Sequence, residues 1–400
     1  MMPKLASELS GQVNERLNQV GPSGIREFDR RVSAVPDIIK LTLGEPDLNT
    51  PEHVKQAGIK SIQENDTHYS AQKGTIELRR AISGYLKKSQ NLDYDPETEI
   101  IATVGATEAI TATFLAMLNP GDKVIIPTPA FALYFPLVTI AGAELIMVDT
   151  SKDGFILTPE KLESVLKKEG SAVKAILLNY PGNPTGVEYP RETIEALADV
   201  IREHHMYVIA DEIYCELTYG VDHFSIAKIL PERTVLINGL SKSHAMTGWR
   251  MGYIAAPAEF TANATKMHAF MVTSPSNPAQ AAATEALTNG LDDPIEMRKI
   301  YQKRRDFVEA AVKDIGLDMA TPSGAFYAFV KIPDAFGTDD VRFAETLAKE
   351  AKVGGVPGSA FGAGGEGYIR FSYAASDEKL HEAMKRLKNY VKSLTASQVN

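Results

Sequence analysis

The sequence predicts an α/β fold: a mostly parallel central sheet flanked by helices on both faces, followed by a smaller domain. From about residue 99, short apolar runs alternate with stretches of helical periodicity, the pattern of parallel strands joined by helical crossovers. Between two of these runs, Ile194, Leu197, Ala198 and Ile201 recur at i, i+3, i+4 and i+7, one apolar helix face. The 400 residues exceed what one core usually holds, so two domains are expected.

A hydrophobic content of 44% with 23% charged residues is that of an ordinary globular, soluble chain. The net charge of -9 gives no electrostatic footprint for nucleic acid or an anionic membrane. The single Cys215 excludes an internal disulfide and any multi-cysteine metal site. Residues 1–8 carry Glu8 where a signal peptide needs an apolar run, and no stretch of eighteen apolar residues follows, so cytoplasm is the default.

In chain order, residues 1 to about 40 read as a helix and arm, with Pro22-Ser23-Gly24-Ile25-Arg26 as a turn-like segment able to lie over a pocket. Leu41-Thr42-Leu43 reads as a short strand stopped by Gly44 and Pro46. Glu99 to Val104 is an apolar run ending in Gly105, and a helix opens at Ala106-Thr107 and stops at Asn119-Pro120-Gly121. Backbone N–H groups at a helix start bind phosphate, so Gly105, Ala106 and Thr107 form the candidate phosphate cup. Lys123 to Pro127 is the next strand. Phe131 follows at its carboxyl end, where doubly wound sheets bind ligands and an aromatic can stack on a planar cofactor. Further strands are read at 145–148, 173–178, 207–210 and 234–237. After Pro278 the chain turns helical and charged, a connector to the smaller domain, with its own strands near 325–330 and 368–372.

Three strand ends and one position inside an apolar run carry chemistry. Asn179-Tyr180-Pro181-Gly182-Asn183-Pro184-Thr185-Gly186 is a turn with several breakers. Asp211 ends the run Val208-Ile209-Ala210, where a carboxylate is costly unless it faces a cation. Arg370 sits inside Tyr368-Ile369-Arg370-Phe371 and needs an anion, its planar fork suiting a carboxylate. The string Asn238-Gly239-Leu240-Ser241-Lys242-Ser243-His244-Ala245-Met246-Thr247-Gly248-Trp249-Arg250-Met251-Gly252 sets a lysine at a strand end and an arginine eight residues on. Two cations facing one small cavity repel unless one forms a neutral imine and the other pairs with an anion. Pyridoxal phosphate makes that demand: a lysine for the Schiff base and a fixed cation for the phosphate.

Ser-Lys followed by Thr-Gly-Trp-Arg-Met-Gly resembles the signature of class I/II aminotransferases, fold type I pyridoxal-phosphate enzymes, and Asn183-Pro184-Thr185-Gly186 matches that family's Asn-Pro-Thr-Gly motif. The resemblance spans Gly44 to Arg370 and is closest to the aspartate, aromatic and N-acetyl-diaminopimelate group. It implies a small α+β domain built from the N-terminal arm and the C-terminal part, divided as 1–45, 46–290 for the large cofactor domain, and 291–400. It implies a homodimer with shared sites, Tyr69 reaching the neighbouring subunit's phosphate. The roles implied are Lys242 for catalysis, and Asn183 and Tyr214 on the cofactor's phenolic oxygen. Asp211 faces its ring nitrogen, and Ser241 and Arg250 its phosphate. The substrate meets Arg370 through its α-carboxylate, with Gly44 and Ile25 beside it, and no metal takes part.

Two departures stand out. Gly239 stands where many relatives of that family have a serine that binds phosphate, so that contact is lost or supplied by Ser241 or Thr107, and no second arginine for a distal carboxylate is evident. Gly362-Ala363-Gly364-Gly365-Glu366-Gly367 satisfies the dinucleotide fingerprint but precedes a strand instead of opening a helix, so it is a loop. The expected activity is amino transfer between an L-amino acid and a 2-oxo acid, with glutamate/2-oxoglutarate as one pair and an aromatic amino acid, aspartate or N-acetyl-diaminopimelate as the other. A lyase on the same scaffold is the alternative. A cofactor-binding regulator would need a DNA-binding extension, for which 400 residues leave no room.

Overall fold

The computed structural model describes residues 2–22 and 24–397. Met1, Ser23 of the turn-like segment and residues 398–400 lie outside it. In chain order its strands are β1 (Ile39–Lys40), β2 (Ile100–Thr103), β3 (Lys123–Thr128), β4 (Glu144–Asp149), β5 (Val173–Asn179), β6 (Tyr207–Asp211), β7 (Thr234–Gly239), β8 (Gly252–Ala255), β9 (Tyr327–Lys331), β10 (Val353–Gly354), β11 (Val356–Pro357) and β12 (Tyr368–Ser372).

Seven of these form the central sheet, in the order β2-β8-β7-β6-β5-β3-β4. Its strands run parallel except β8, which pairs antiparallel with both β2 and β7. The middle strands β5, β6 and β7 are buried almost throughout, which is why they read as unbroken apolar runs and not as alternating ones. One face packs Leu162, Leu197 and Ile201, and the other Ile110, Phe114 and Val138, so helices cover both sides. The sheet's reversal of connection leaves a crevice at the carboxyl ends of β3, β5, β6 and β7, the place where ligands bind in such sheets.

A second core joins the two ends of the chain. Phe28, Val32 and Leu41 pack with Tyr301, Phe326, Phe343, Leu347, Phe371 and Leu387 around the antiparallel sheet β11-β12-β9. β1 completes this union by pairing with β10 in parallel.

The structure corrects three local expectations. The strand lies at Ile39–Lys40, ahead of 41–43, because its partner β10 offers only Val353 and Gly354. Gly24 to Arg26 are the first turn of a helix, Gly24–Val32, whose Phe28 and Val32 are drawn into the second core. β8 was absent from the sequence reading: Gly-Tyr-Ile-Ala is short and non-alternating, and only its pairing with β2 and β7 makes it a strand. Gly362 to Gly367 is a loop leading into β12, as its position relative to that strand predicts.

Candidate active site

A cavity of about 1000 Å³ opens at the carboxyl ends of the central strands. Its walls include Ile25, Gly44, Ala106, Thr107, Phe131, Asn183, Asp211, Tyr214, Ser241, Lys242, Arg250 and Arg370, so residues from distant parts of the sequence converge there. Gly105 stands directly behind Arg250. It has φ +74°, and a Cβ at Gly105 would run into the guanidinium.

Lys242 lies in a short helix, Leu240–Ser243, that begins where β7 ends. Its Nζ donates to the Gly44 carbonyl at 2.6 Å, with the rings of Tyr214 and Phe326 5.9 and 5.8 Å away. Burial pushes its ammonium down to about 8, Glu45 opposing and Arg370 and Arg250 assisting. An amine so placed is partly neutral, and so nucleophilic, near neutral pH.

Asp211 ends β6 and is buried. Burial raises its carboxyl to about 6, against the hydrogen bond that Tyr134 Oη donates to Oδ2 at 2.7 Å. Tyr134, three residues beyond Phe131, is a site residue that the sequence reading missed. Its ring meets Phe131 edge-on at 5.6 Å. Neighbouring β5 ends in Asn179, whose Nδ2 donates to the Asp211 carbonyl while its Oδ1 accepts from the Asn183 amide.

Arg370 comes from β12 in the second core and is 2% exposed. Its Nη1 donates to Asn183 Oδ1 at 2.8 Å and its Nη2 to the Thr42 carbonyl. The guanidinium lies 4.5 Å from the Tyr327 ring centre. No carboxylate pairs with it among the described residues, and its Nε has no hydrogen-bond partner. A buried cation without an anion is costly, and it marks a place for one to bind. Tyr327 was also missed, though it falls in the strand-like run 325–330. Its hydroxyl pairs with that of Tyr214 at 2.6 Å and fills the space that a side chain at Gly44 would need. Tyr214 therefore already has one partner before any phenolic oxygen reaches it.

The helix Gly105–Met117 starts with no side chain capping its first N–H groups, since Glu108 turns back to accept from Val104 at 2.8 Å. Those donors and Arg250 together suit a phosphate. Arg250 sits at φ 56°, strained for a side-chain-bearing residue, with Nη1 on the Thr247 carbonyl. Gly239 also gains an explanation. It pairs with Gly252, and a Cβ there would lie 2.8 Å from the Met251 carbonyl, so a serine does not fit without moving β8.

The residues present thus fit pyridoxal phosphate: uncapped helix donors beside a cation, a buried carboxylate for a ring nitrogen, an amine lowered by burial, and an arginine lacking its anion. Two expected members, Gly105 behind Arg250 and Tyr69, are not among the residues lining the cavity. Tyr69 is 90% exposed. The lining does contain a further arginine, Arg26, which had been noted only as part of the turn-like segment.

The family model "Aminotransferase class I and II" matches residues 36–387. A probable N-acetyl-LL-diaminopimelate aminotransferase of Bacillus subtilis is 44% identical over 379 residues, 95% of each chain. An aspartate aminotransferase of Pyrococcus abyssi is 40% identical, covering 95% of this chain and 98% of its own. Among solved structures, the aromatic aminotransferase of Pyrococcus horikoshii superposes with a TM-score of 0.87 at 40% identity, over 92% of this chain and 99% of that one. These relatives carry aminotransferase names, and the lyase alternative finds no support among them.

Proposed function

The chain belongs to the class I and II aminotransferases and is a pyridoxal-phosphate-dependent transaminase, and we propose that glutamate and 2-oxoglutarate form one of its substrate pairs. The other amino acid is aromatic, aspartate or N-acetyl-diaminopimelate, the classes named for its relatives. The observation that carries the reading is Arg370, a buried fork without an anion in the same cavity as Lys242. Such a fork receives an α-carboxylate, the group common to every amino acid and 2-oxo acid.

The cofactor would be held by Gly105, Ala106, Thr107, Ser241 and Arg250 at its phosphate and by Asn183, Asp211 and Tyr214 around its ring, beside Phe131. When bound, pyridoxal phosphate supplies an electron-accepting ring and carries the amino group between substrates. Asp211 favours that ring by presenting a carboxylate to its nitrogen, oriented by Tyr134. Lys242 Nζ would hold the cofactor between turnovers and, once free, would move the substrate's α-proton. Arg370 and Gly44, with Ile25 beside them, orient the substrate over that amine.

The same reading makes the active unit a homodimer with shared sites, supported by the outward position of Tyr69 and by Phe270, 89% exposed. It also divides the chain at about residues 45 and 290, supported by the second core that joins residues 28–41 to 297–390. No helix among the described residues is long and apolar enough to cross a membrane, and we place the enzyme in the cytoplasm.

A half-reaction screen tests the substrate reading. Single amino acids are added to the holoenzyme and the cofactor spectrum is followed. Glutamate and one of the three classes should each convert it, and 2-oxoglutarate should restore it. Failure of 2-oxoglutarate to restore it, or release of pyruvate and ammonia without an acceptor, contradicts the proposal.

A further inference from the structure

Three ionisable side chains with no role so far meet in the core one residue beyond Asp211. His223 Nδ1 lies 3.1 Å from Glu188 Oε1, and its Nε2 lies 3.0 Å from Glu212 Oε2. Their side chains are 5%, 3% and 0% exposed. Burying ions costs several kcal/mol each before their attraction offsets it, so this is an expensive way to fill space. Burial alone would push the His223 imidazolium down, but Glu212 and Glu188 overcome it and hold it up to about 10. The His223 cation therefore stands between the two glutamate side chains, while burial raises the Glu188 carboxyl against it. The contact to Glu212 is ionic and not a well-aligned hydrogen bond, since neither Glu212 oxygen finds a donor at good angle. Tyr94, Tyr180, Cys215 and Tyr253 also face Glu212, but burial keeps all four neutral. His223 is thus the only cation paired with Glu212 among the described residues.

The three come from segments that matter to the cavity. Glu188 follows the Asn183–Gly186 turn, and Glu212 follows Asp211 directly. The His223 ring packs on Tyr180 at 5.2 Å, and the Tyr180 hydroxyl accepts from the Ile226 amide at 2.9 Å. We propose that His223 is a positioning residue: its imidazolium, held between Glu188 and Glu212, offsets the Glu212 charge beside Asp211, so that Asp211 remains a carboxylate for the cofactor's ring nitrogen.

This rests on the assignment of Asn183 and Asp211 to the cofactor, and the test separates the two. Equilibrium affinity for pyridoxal phosphate is measured on the full chain for the parent, Asp211→Ala, His223→Gln and His223→Gln/Glu212→Gln, with thermal unfolding to confirm folding. His223→Gln leaves two buried anions without a cation, and affinity should fall about tenfold or more. The double variant removes one anion along with the cation, restoring the parent's charge balance, and should return to within about threefold of the parent. A merely space-filling histidine gives no such rescue. Parent-like binding by His223→Gln, or a double variant as weak as the single, overturns the proposal. Where His223→Gln does not fold, the double variant decides: parent-like binding supports the charge offset, and weak binding or failure to fold overturns it. If Asp211→Ala itself binds like the parent, the site assignment has failed, which is a different result from failure of the charge offset.

Discussion

At the scale of single residues, the site is a set of buried charges arranged for partners that the chain does not itself supply. Burial holds the Asp211 carboxyl up to about 6, whereas an unfolded chain titrates near 4. The ionised form is therefore the one the fold disfavours: its cost is full above about 6 and absent below about 4. Asp211→Asn should then make the cofactor-free protein more stable than the parent at pH 7, by roughly 3 kcal/mol, and equal to it at acid pH. Denaturant unfolding of both proteins at the two pH values checks this. Binding should show the opposite face of the same fact. The parent's affinity for pyridoxal phosphate should fall as pH drops through about 6, with a component missing in Asp211→Asn; overlapping profiles would refute the pairing. Arg370→Lys keeps the charge but loses the fork, so KM for every amino acid should rise about tenfold or more while the cofactor spectrum stays as in the parent. Lys242, Asp211 and Arg370 were legible because each is an ionisable group where an apolar run ends or continues, and Asn183 because it opens the Asn-Pro-Thr-Gly motif. Tyr134 and Tyr327 were not, since an aromatic beside a strand reads as core until its hydroxyl is seen to meet Asp211 or Tyr214.

At the scale of elements, the proposed phosphate cup needs close approach between β8 and the start of the helix Gly105–Met117. A Cβ at Gly252 would lie 2.6 Å from the Ala106 nitrogen and 3.0 Å from the Asn238 carbonyl. Gly252→Ala should push the cup away from Arg250. Affinity for pyridoxal phosphate should fall by about tenfold or more, with little change for pyridoxal, which has no phosphate. Equal losses for both ligands would place the damage elsewhere. The strands β3 and β5 to β7 could be read from sequence because burial on both faces makes them locally apolar. β8 could not, because its identity lies in pairing with β2 and β7, far away along the chain. The same nonlocal cause moved the first strand to Ile39–Lys40 and turned Gly24–Arg26 into helix, the partners being residues beyond 296.

At the scale of the whole molecule, the chain brings its two ends together and leaves Tyr69 outside its own cavity. If Tyr69 serves the neighbouring subunit, a twofold dimer has two composite sites. Mixing inactive Lys242→Ala protein with impaired Tyr69→Phe protein then forms hybrids in which one site carries both lesions and the other neither. Activity above either parent, after subunit exchange, is the expected result; no gain in verified hybrids would give Tyr69 to its own chain's site or to none. All of these relations converge on one nitrogen, Lys242 Nζ. Borohydride reduction of the holoenzyme followed by peptide mass mapping tests its role most directly: a phosphopyridoxyl group should appear on Lys242 alone and be absent from folded Lys242→Ala protein, whereas attachment to another lysine, or to none, would contradict it.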